Sequence, residues 1–299
     1  MDTLENLRSK TEGAKDLKSV VSAMKAMAGS NIVQYETAVS SLADYYYTIA
    51  LGIVAYFKAE GIEGISEKAV SEKNSEDAIC AIVFGSDQGL VAQFNDAMAN
   101  FVTTSLKALP GKKELWVVGE RVALLLSDEG FASAKLYPVP NDINAVTPLV
   151  TEILSQSQIK QQQHEGTRFY IFHNKPNAVS GYTPVMQRFL PLDEKWKENV
   201  EKTEWPSKLL PQIAGTPKPT LIALINGYLF TSLFKACVES LASENASRLE
   251  AMQRADKNIS DLLDDLNTKY HRLRQSSIDE ELFDVVSGFE ALKKDSTKD

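Results

Sequence analysis

Leu249-Glu-Ala-Met-Gln-Arg-Ala-Asp-Lys-Asn-Ile-Ser-Asp-Leu-Leu-Asp-Asp-Leu-Asn-Thr-Lys-Tyr-His-Arg-Leu273 is the stretch whose reading decides the fold. Leu249, Met252, Ile259, Leu263, Leu266, Tyr270 and Leu273 recur at steps of three, four and seven, the a/d spacing of a coiled-coil seam. The residues between them are mostly charged or amide-bearing, so only one narrow stripe seeks a partner. Around this stretch, from Gly227 to Gly288, the chain has neither an interior glycine nor a proline. After Ser276 and Ser277 the phase slips and resumes as Ile278, Leu282, Val285, Phe289 and Leu292. A slip of that kind changes the local supercoil and lets a helix end part from its partner.

Working outward, all eleven prolines lie between Pro110 and Pro219. Proline removes a backbone donor and clashes with the preceding helical turn, so the two proline-free ends are where long helices can run. The N-terminal end carries its own seam: Leu4, Leu7, Ala14, Leu17, Val21, Met24 and Ala28, then Tyr35, Val39, Leu42, Tyr46, Ile49, Ile53 and Tyr56. A helix from Leu4 to Phe57 would reach on the order of 80 Å at the α-helical rise per residue. Gly13, Gly29 and Gly52 each weaken it by about 1 kcal/mol relative to alanine and offer places to bend. Each seam needs a partner, and the other end of the chain supplies one. The expectation is an antiparallel intramolecular coiled coil; the competing arrangement is a bundle of shorter, broken helices.

Between the ends, the pattern changes to short apolar runs alternating with helical spacing. Ala78–Phe84 reads as a buried parallel strand, following a polar linker at Ser66–Asp77. Val91–Leu109 reads as a helix, Leu115–Val118 as a strand and Glu120–Ser127 as a helix. Ala134–Tyr137 reads as a strand, Val146–Gln158 as a helix, Arg168–Phe172 as a strand and Thr183–Leu192 as one more. This alternation predicts a small α/β domain with a parallel sheet, and the proline-rich Asp193–Pro219 reads as the return linker. The fold class is therefore α/β: a long antiparallel coiled coil of the N- and C-terminal helices with an inserted Rossmann-like α/β domain. Its parts are a first shaft helix over 1–58, the α/β domain over 76–219 and a second shaft helix over 220–293.

Composition narrows the function classes. With 32 Lys and Arg against 40 Asp and Glu, the 299-residue chain has a formal charge of −8, so no overall positive field favours nucleic acid. Two distant cysteines, Cys80 and Cys237, do not suggest a disulfide framework or a zinc site, and Cys80 sits in an apolar run as a small buried hydrophobe. The opening residues lack the basic and apolar regions of a signal peptide. No apolar run approaches the roughly 18 to 20 residues of a membrane span, so the reading is a soluble, intracellular chain that could still attach to a membrane complex.

Candidate chemistry is sparse. Gly85-Ser-Asp-Gln-Gly89 joins a strand to a helix, where nucleotide-binding folds hold phosphate, but it lacks both GxGxxG and a P-loop lysine. It reads either as a plain glycine turn or, in an enzyme with a coiled-coil arm, as a phosphate site. His164, His173 and His271 show no ligand spacing, and GxSxG, HExxH and a Cys/His pairing are missing. Asp264-Asp265 and Asp279-Glu280-Glu281 read as solvated helix faces. Arg8, Lys10, Lys15, Lys18 and Lys25 form a basic cluster with two readings: a face balanced by Glu5, Glu12 and Asp16, or a rim that meets acidic partner loops. No catalytic residue, cofactor or metal is expected.

Several stretches resemble the gamma subunit of F-type ATP synthases. Ser22-Ala-Met-Lys-Ala-Met-Ala28 is similar to the "T-x-A-M-x-M-V-A" run of that family's first helix. Ser86-Asp-Gln-Gly-Leu90 with Asn95 resembles its "S-D-R-G-L-C-G-x-x-N" turn, and Leu190-Pro-Leu192 its fourth-strand region. The closest resemblance lies in Tyr228-Leu-Phe-Thr-Ser-Leu233, Glu239-Ser-Leu-Ala-Ser-Glu-Asn-Ala-Ser-Arg248 and Arg274-Gln-Ser-Ser-Ile278. Gln88, Val91 and Ala92 stand where the family usually has Arg, Cys and Gly, and Gly29-Ser-Asn31 where it has small and basic residues; these departures imply a divergent bacterial branch.

The resemblance implies a non-catalytic central rotor, one copy per complex. Its partners would be a ring of alternating alpha and beta subunits, the epsilon subunit and the membrane c-ring, on the cytoplasmic face of the bacterial inner membrane. Met24, Lys25, Arg274 and Gln275 would contact beta-subunit loops. Phe289, Ala291 and Leu292 would form the shaft tip in an apolar sleeve, and Asp87, Gln88, Gly89 and Leu90 the foot turn toward the c-ring and epsilon. A coiled-coil adaptor that dimerises through its end helices is the alternative of another class.

Overall fold

The computed structural model describes residues 3–60, 78–164, 166–177 and 181–193, scattered positions between 196 and 213, and residues 215–295, without the side chains of 60 and 288–295. The expected linker at Ser66–Asp77 lies outside the described residues. The terminal helices are continuous: α1 spans Leu4–Glu60 and the last helix Pro217–Asp295, which sets aside the bundle of broken helices. By length and composition each holds a stretch apolar enough to cross a membrane, a property shared with core helices of soluble proteins. The chain divides into two compact units, Met1–Met27 with Glu250–Asp299, and Ala28–Leu249.

The first unit is the predicted seam, except that Leu17, expected on it, is exposed. Leu7, Ala14 and Val21 of α1 bury against Met252, Ile259, Leu263 and Leu266 of the last helix, with Met24, Ala255, Tyr270 and Leu273 at the margins. Each fully buried leucine contributes about 2 kcal/mol of transfer free energy. Most of both helix surfaces stays open, including Leu17, Val20 and Met27. Past Leu273, Ile278, Leu282, Phe283 and Val285 are exposed, as the phase slip leads one to expect.

The second unit is a sheet with helices on both faces. Its elements are β1 (Ile79–Phe84), α2 (Phe94–Ala108), β2 (Lys113–Val118), α3 (Glu120–Asp128), β3 (Ser133–Tyr137), α4 (Ile143–Gln163), β4 (Arg168–Asn177) and β5 (Gly181–Leu190); the last helix is α5. Strand order is β3-β2-β1-β4-β5. The first four are parallel, and β5 returns antiparallel along β4, so the sheet is mixed rather than purely parallel. Every residue of β1 is buried because the strand is covered twice. Ile79, Ala81 and Val83 meet Met98, Val102 and Leu106 of α2 and Val122 and Leu126 of α3. Cys80, Ile82 and Phe84 face the other way, into a cluster with Val150 and Ile153 of α4 and Leu229, Leu233 and Cys237 of α5. Period-two alternation along one strand serves two cores.

Within this unit α1 and α5 run in opposite directions: Asn31 bonds Asn245, while the neighbours of Gly52 and Gly227 are Leu224 and Ile49. A Cβ at Gly52 or Gly227 would lie 2.9 Å from those side chains. These glycines therefore mark close helix approach, and α1 carries no break at Gly52. The proposed return linker is partly structured: Trp196, Val200 and Ile213 pack with Ile49, Ile53 and Phe57, and α5 already begins at Pro217, where proline suits a first helical turn.

Candidate functional site

The glycine turn after β1 is locked from within. The Asp87 carboxylate accepts the backbone N–H of Glu120, at the start of α3, at 2.8 Å and that of Val139 at 2.9 Å. These two N–H groups thus hold a carboxylate of the chain itself. Ser86 N–H donates to Asn95 Oδ1 at 3.0 Å, and Asn95 Nδ2 donates to Ser86 Oγ at 2.8 Å. Gly119 has φ +113°, and a Cβ there would come within 2.8 Å of the Ser86 nitrogen, so the crossing of the two turns requires glycine. The turn is thereby a joint among β1, β2 and α3.

Around that joint, Asp87, Gln88, Gly89 and Leu90 are exposed, Leu90 at 62%. Leu90 and Ala92 hold φ values of +62° and +47°, a left-handed conformation that disfavours residues with a Cβ. The expected helix from Val91 therefore starts only at Phe94. The Val91 carbonyl is used instead, accepting from Phe94 N–H at 3.1 Å and from Ser247 Oγ at 2.6 Å.

In the first unit, Met24 lies half-buried at the seam margin. Lys25 Nζ sits 2.8 Å from Asp256 Oδ2. That hydrogen bond holds the Asp256 carboxyl below the usual carboxylate range, against a smaller opposing effect of lost hydration. Arg8 meets Glu12 across one helical turn at 3.4 Å with both side chains exposed. The basic cluster is thus partly balanced by the chain's own carboxylates. Arg274 and Gln275 are exposed on α5. Phe289, Ala291 and Leu292 fall within the span of α5, but their side chains lie outside the described residues. Met24 and Lys25 are brought beside the Asp256 turn of α5; the foot-turn residues belong to the other unit.

Sequence reasoning missed a buried polar stripe. Glu239, Ser243 and Ser247 recur every four residues along α5 and are 7%, 1% and 4% exposed. Glu239 Oε2 is 2.9 Å from His173 Nε2, and Ser243 Oγ donates to the Asn174 carbonyl at 2.9 Å. On the adjoining face Glu244 is also buried; lost hydration pushes its carboxyl up, opposed by Arg248 at 2.7 Å. The four-residue spacing of Glu and Ser is visible in the sequence, but it does not tell a buried polar face from an exposed one. His173, read as scattered, has its partner 66 residues away. Cys80 and Cys237 are both buried free thiols, and burial pushes each thiol up. Among the described residues there is no cluster of His, Cys, Asp or Glu suited to a metal ion.

Comparison with known proteins adds a second line of findings. The protein-family model described as ATP synthase matches residues 3–292. An ATP synthase gamma chain of Hydrogenobaculum sp. (strain Y04AAS1) is 24% identical over 293 residues, covering 96% of this chain and 97% of its own length. One from Glaesserella parasuis serovar 5 (strain SH0165) is 26% identical over 292 residues, covering 96% and 99%. The fold is similar to a chain of the Tetrahymena thermophila mitochondrial ATP synthase central stalk and c-ring structure, with TM-score 0.56 and 20% identity. That likeness covers 79% of this chain and 99% of the other.

Proposed function

The chain belongs to the ATP synthase family as a gamma, central-stalk subunit, and on that premise we propose how it works within the complex. The helix pair of the first unit turns inside a ring of alternating alpha and beta subunits, one copy per complex. The sheet unit binds epsilon and the c-ring, and ion flow through the c-ring turns it. Each orientation of the asymmetric helix pair contacts the beta subunits differently, so each stabilises a different nucleotide affinity; coupling is this difference in contact free energy. Nucleotide chemistry belongs to beta. The complex sits at the cytoplasmic face of the bacterial inner membrane, and the chain attaches only through it.

The single observation that carries this reading is the match to gamma chains from end to end. Exposed Arg274 and Gln275 remain suited to partner loops. Lys25, paired with Asp256, instead meets a partner as part of an ion pair. Phe289, Ala291 and Leu292 would form the tip, and Asp87 to Leu90 the contact toward the c-ring and epsilon, with the Asp87 carboxylate directed inward and Gln88 and Leu90 outward.

The test is complementation. Bacterial cells whose own gamma chain has been deleted, supplied with this chain and its partner subunits, should regain ATP-driven ion pumping in inverted membrane vesicles. Failure of the full complex to pump while its ring hydrolyses ATP would reject the rotor reading. Truncation after Ser287 should weaken assembly or torque, and unchanged coupled ATP synthesis would reject the tip assignment.

A further inference from the structure

Apolar packing resists separation of two surfaces but is non-directional. Packing of an apolar face sets which side of a helix is buried, but it fixes the helix's rotation less sharply than directional bonds do. Yet a helix that transmits torque has to be fixed against that rotation. In the sheet unit, the stripe Lys235, Glu239, Ser243 and Ser247 lies along one face of α5 at i, i+4, i+8 and i+12, and three of its members are tied to fixed points off the helix. Glu239 meets His173 on β4 at 2.9 Å. Ser243 Oγ lies 2.9 Å from the carbonyl of Asn174, also on β4, sharing its hydrogen with the Glu239 carbonyl at 2.8 Å. Ser247 donates to the Val91 carbonyl, beyond the turn after β1, at 2.6 Å. Lys235 flanks the series, 3.9 Å from Glu239 Oε1.

We infer that this buried stripe is the rotational lock that holds α5 in register on the sheet, with His173 and Glu239 as its positioning residues. The inference rests on the rotor reading. Burying a His–Glu pair is a poor way to gain stability, because an apolar pair of similar volume often does as well or better. What the polar pair adds is direction: hydrogen bonds weaken steeply as their angles open. The anchors lie where β4 and the β1 turn meet α5, so a twist applied to the sheet reaches the helix through them. The stripe acts by fixing α5.

The discriminating variant is the apolar pair His173→Leu with Glu239→Leu, studied in the assembled complex in inverted membrane vesicles. The melting temperature of the chain and its content in the complex should stay near wild type, as should ATP hydrolysis. Ions pumped per ATP hydrolysed should fall by about twofold, because directional bonds are replaced by non-directional contact. His173→Gln, which keeps an N–H for Glu239, should restore most of the pumping ratio. A double variant that pumps per ATP as wild type does would show that the pair is merely structural and overturn the inference. Should the double variant not assemble, Ser243→Ala with Ser247→Ala carries the same expectation, and an unchanged pumping ratio there would overturn it equally. Native mass spectrometry of the wild-type sample separates the two levels: a chain missing from the complex overturns the rotor reading itself, before any variant is considered.

Discussion

The same two helices are built by different rules in the two units. In Met1–Met27 with Glu250–Asp299 they share one narrow seam, Leu7 to Leu273, and leave the rest of their surface open. In Ala28–Leu249, α5 is buried almost continuously from Leu229 to Ser247, polar residues included, and glycines let it approach α1 closely. The difference teaches a division of labour. A segment that must present its surface to partners keeps its own packing to one stripe, whereas a segment that must be gripped is enclosed and fixed by directional bonds.

The comparison can be broken first at the cores. Leu233, fully buried among α5 and the sheet, should cost about 3 kcal/mol when changed to Ala, chiefly as a cavity, and lower the melting temperature of the chain. Leu263, 9% exposed at the seam, should cost about 2 kcal/mol at most, since a surface site can collapse or admit water. Hydrogen exchange should place that loss in the first unit alone. Equal, global losses from both variants would erase the distinction between the units.

The glycines sharpen it. A Cβ at Gly13 meets nothing within 4 Å, so Gly13→Ala should stabilise α1 by about 1 kcal/mol through helix propensity. Gly227→Ala brings the same propensity gain but presses its Cβ to 2.9 Å from Ile49, so its net effect in thermal melts should be near zero or destabilising. A clear gain from Gly227→Ala would mean that the helices approach less closely than described.

Smaller still is Ala92→Gly. At φ +47° the alanine is strained by roughly 1 kcal/mol, and glycine's greater unfolded-state entropy offsets part of the relief. A gain of at most about 0.5 kcal/mol should appear in denaturant midpoints. A loss would contradict the left-handed assignment. The departure from the family's glycine at this position is thus tolerated at modest cost.

The smallest expected effect is Asp256→Asn. The carboxyl is held below its ordinary value of about 3.9 by Lys25, so its contribution is present above the unfolded value and lost as pH falls through the folded one. Wild type should lose protection of the seam amides below about pH 4, and the variant should show less of that loss. High salt should shrink the difference, and identical acid profiles would remove the pair from the account.

Much of the fold was legible because its signals are local. Ala78–Phe84 is an apolar run bounded by polar residues, and Leu249–Leu273 keeps its spacing over several turns. The antiparallel course of β5 was not legible, since alternation in Thr183–Leu192 has no direction. Asp142, whose side chain accepts from Asn144 and Ala145 N–H, starts α4 at Ile143, ahead of the apolar residues that suggested Val146. Gly52 looked like a weak point because its close neighbour lies on the other helix. The Glu239–Ser243–Ser247 stripe looked like an ordinary polar helix face, since only the fold brings His173 to it. Motif resemblance reached the right family, but it could not show that Lys25 is engaged by Asp256.

The most direct test of the central claim is subunit stoichiometry: tagged chain drawn from mildly solubilised native membranes and weighed by native mass spectrometry. The account predicts one copy beside three copies each of two larger nucleotide-binding subunits. A homodimer of this chain without such partners would contradict it.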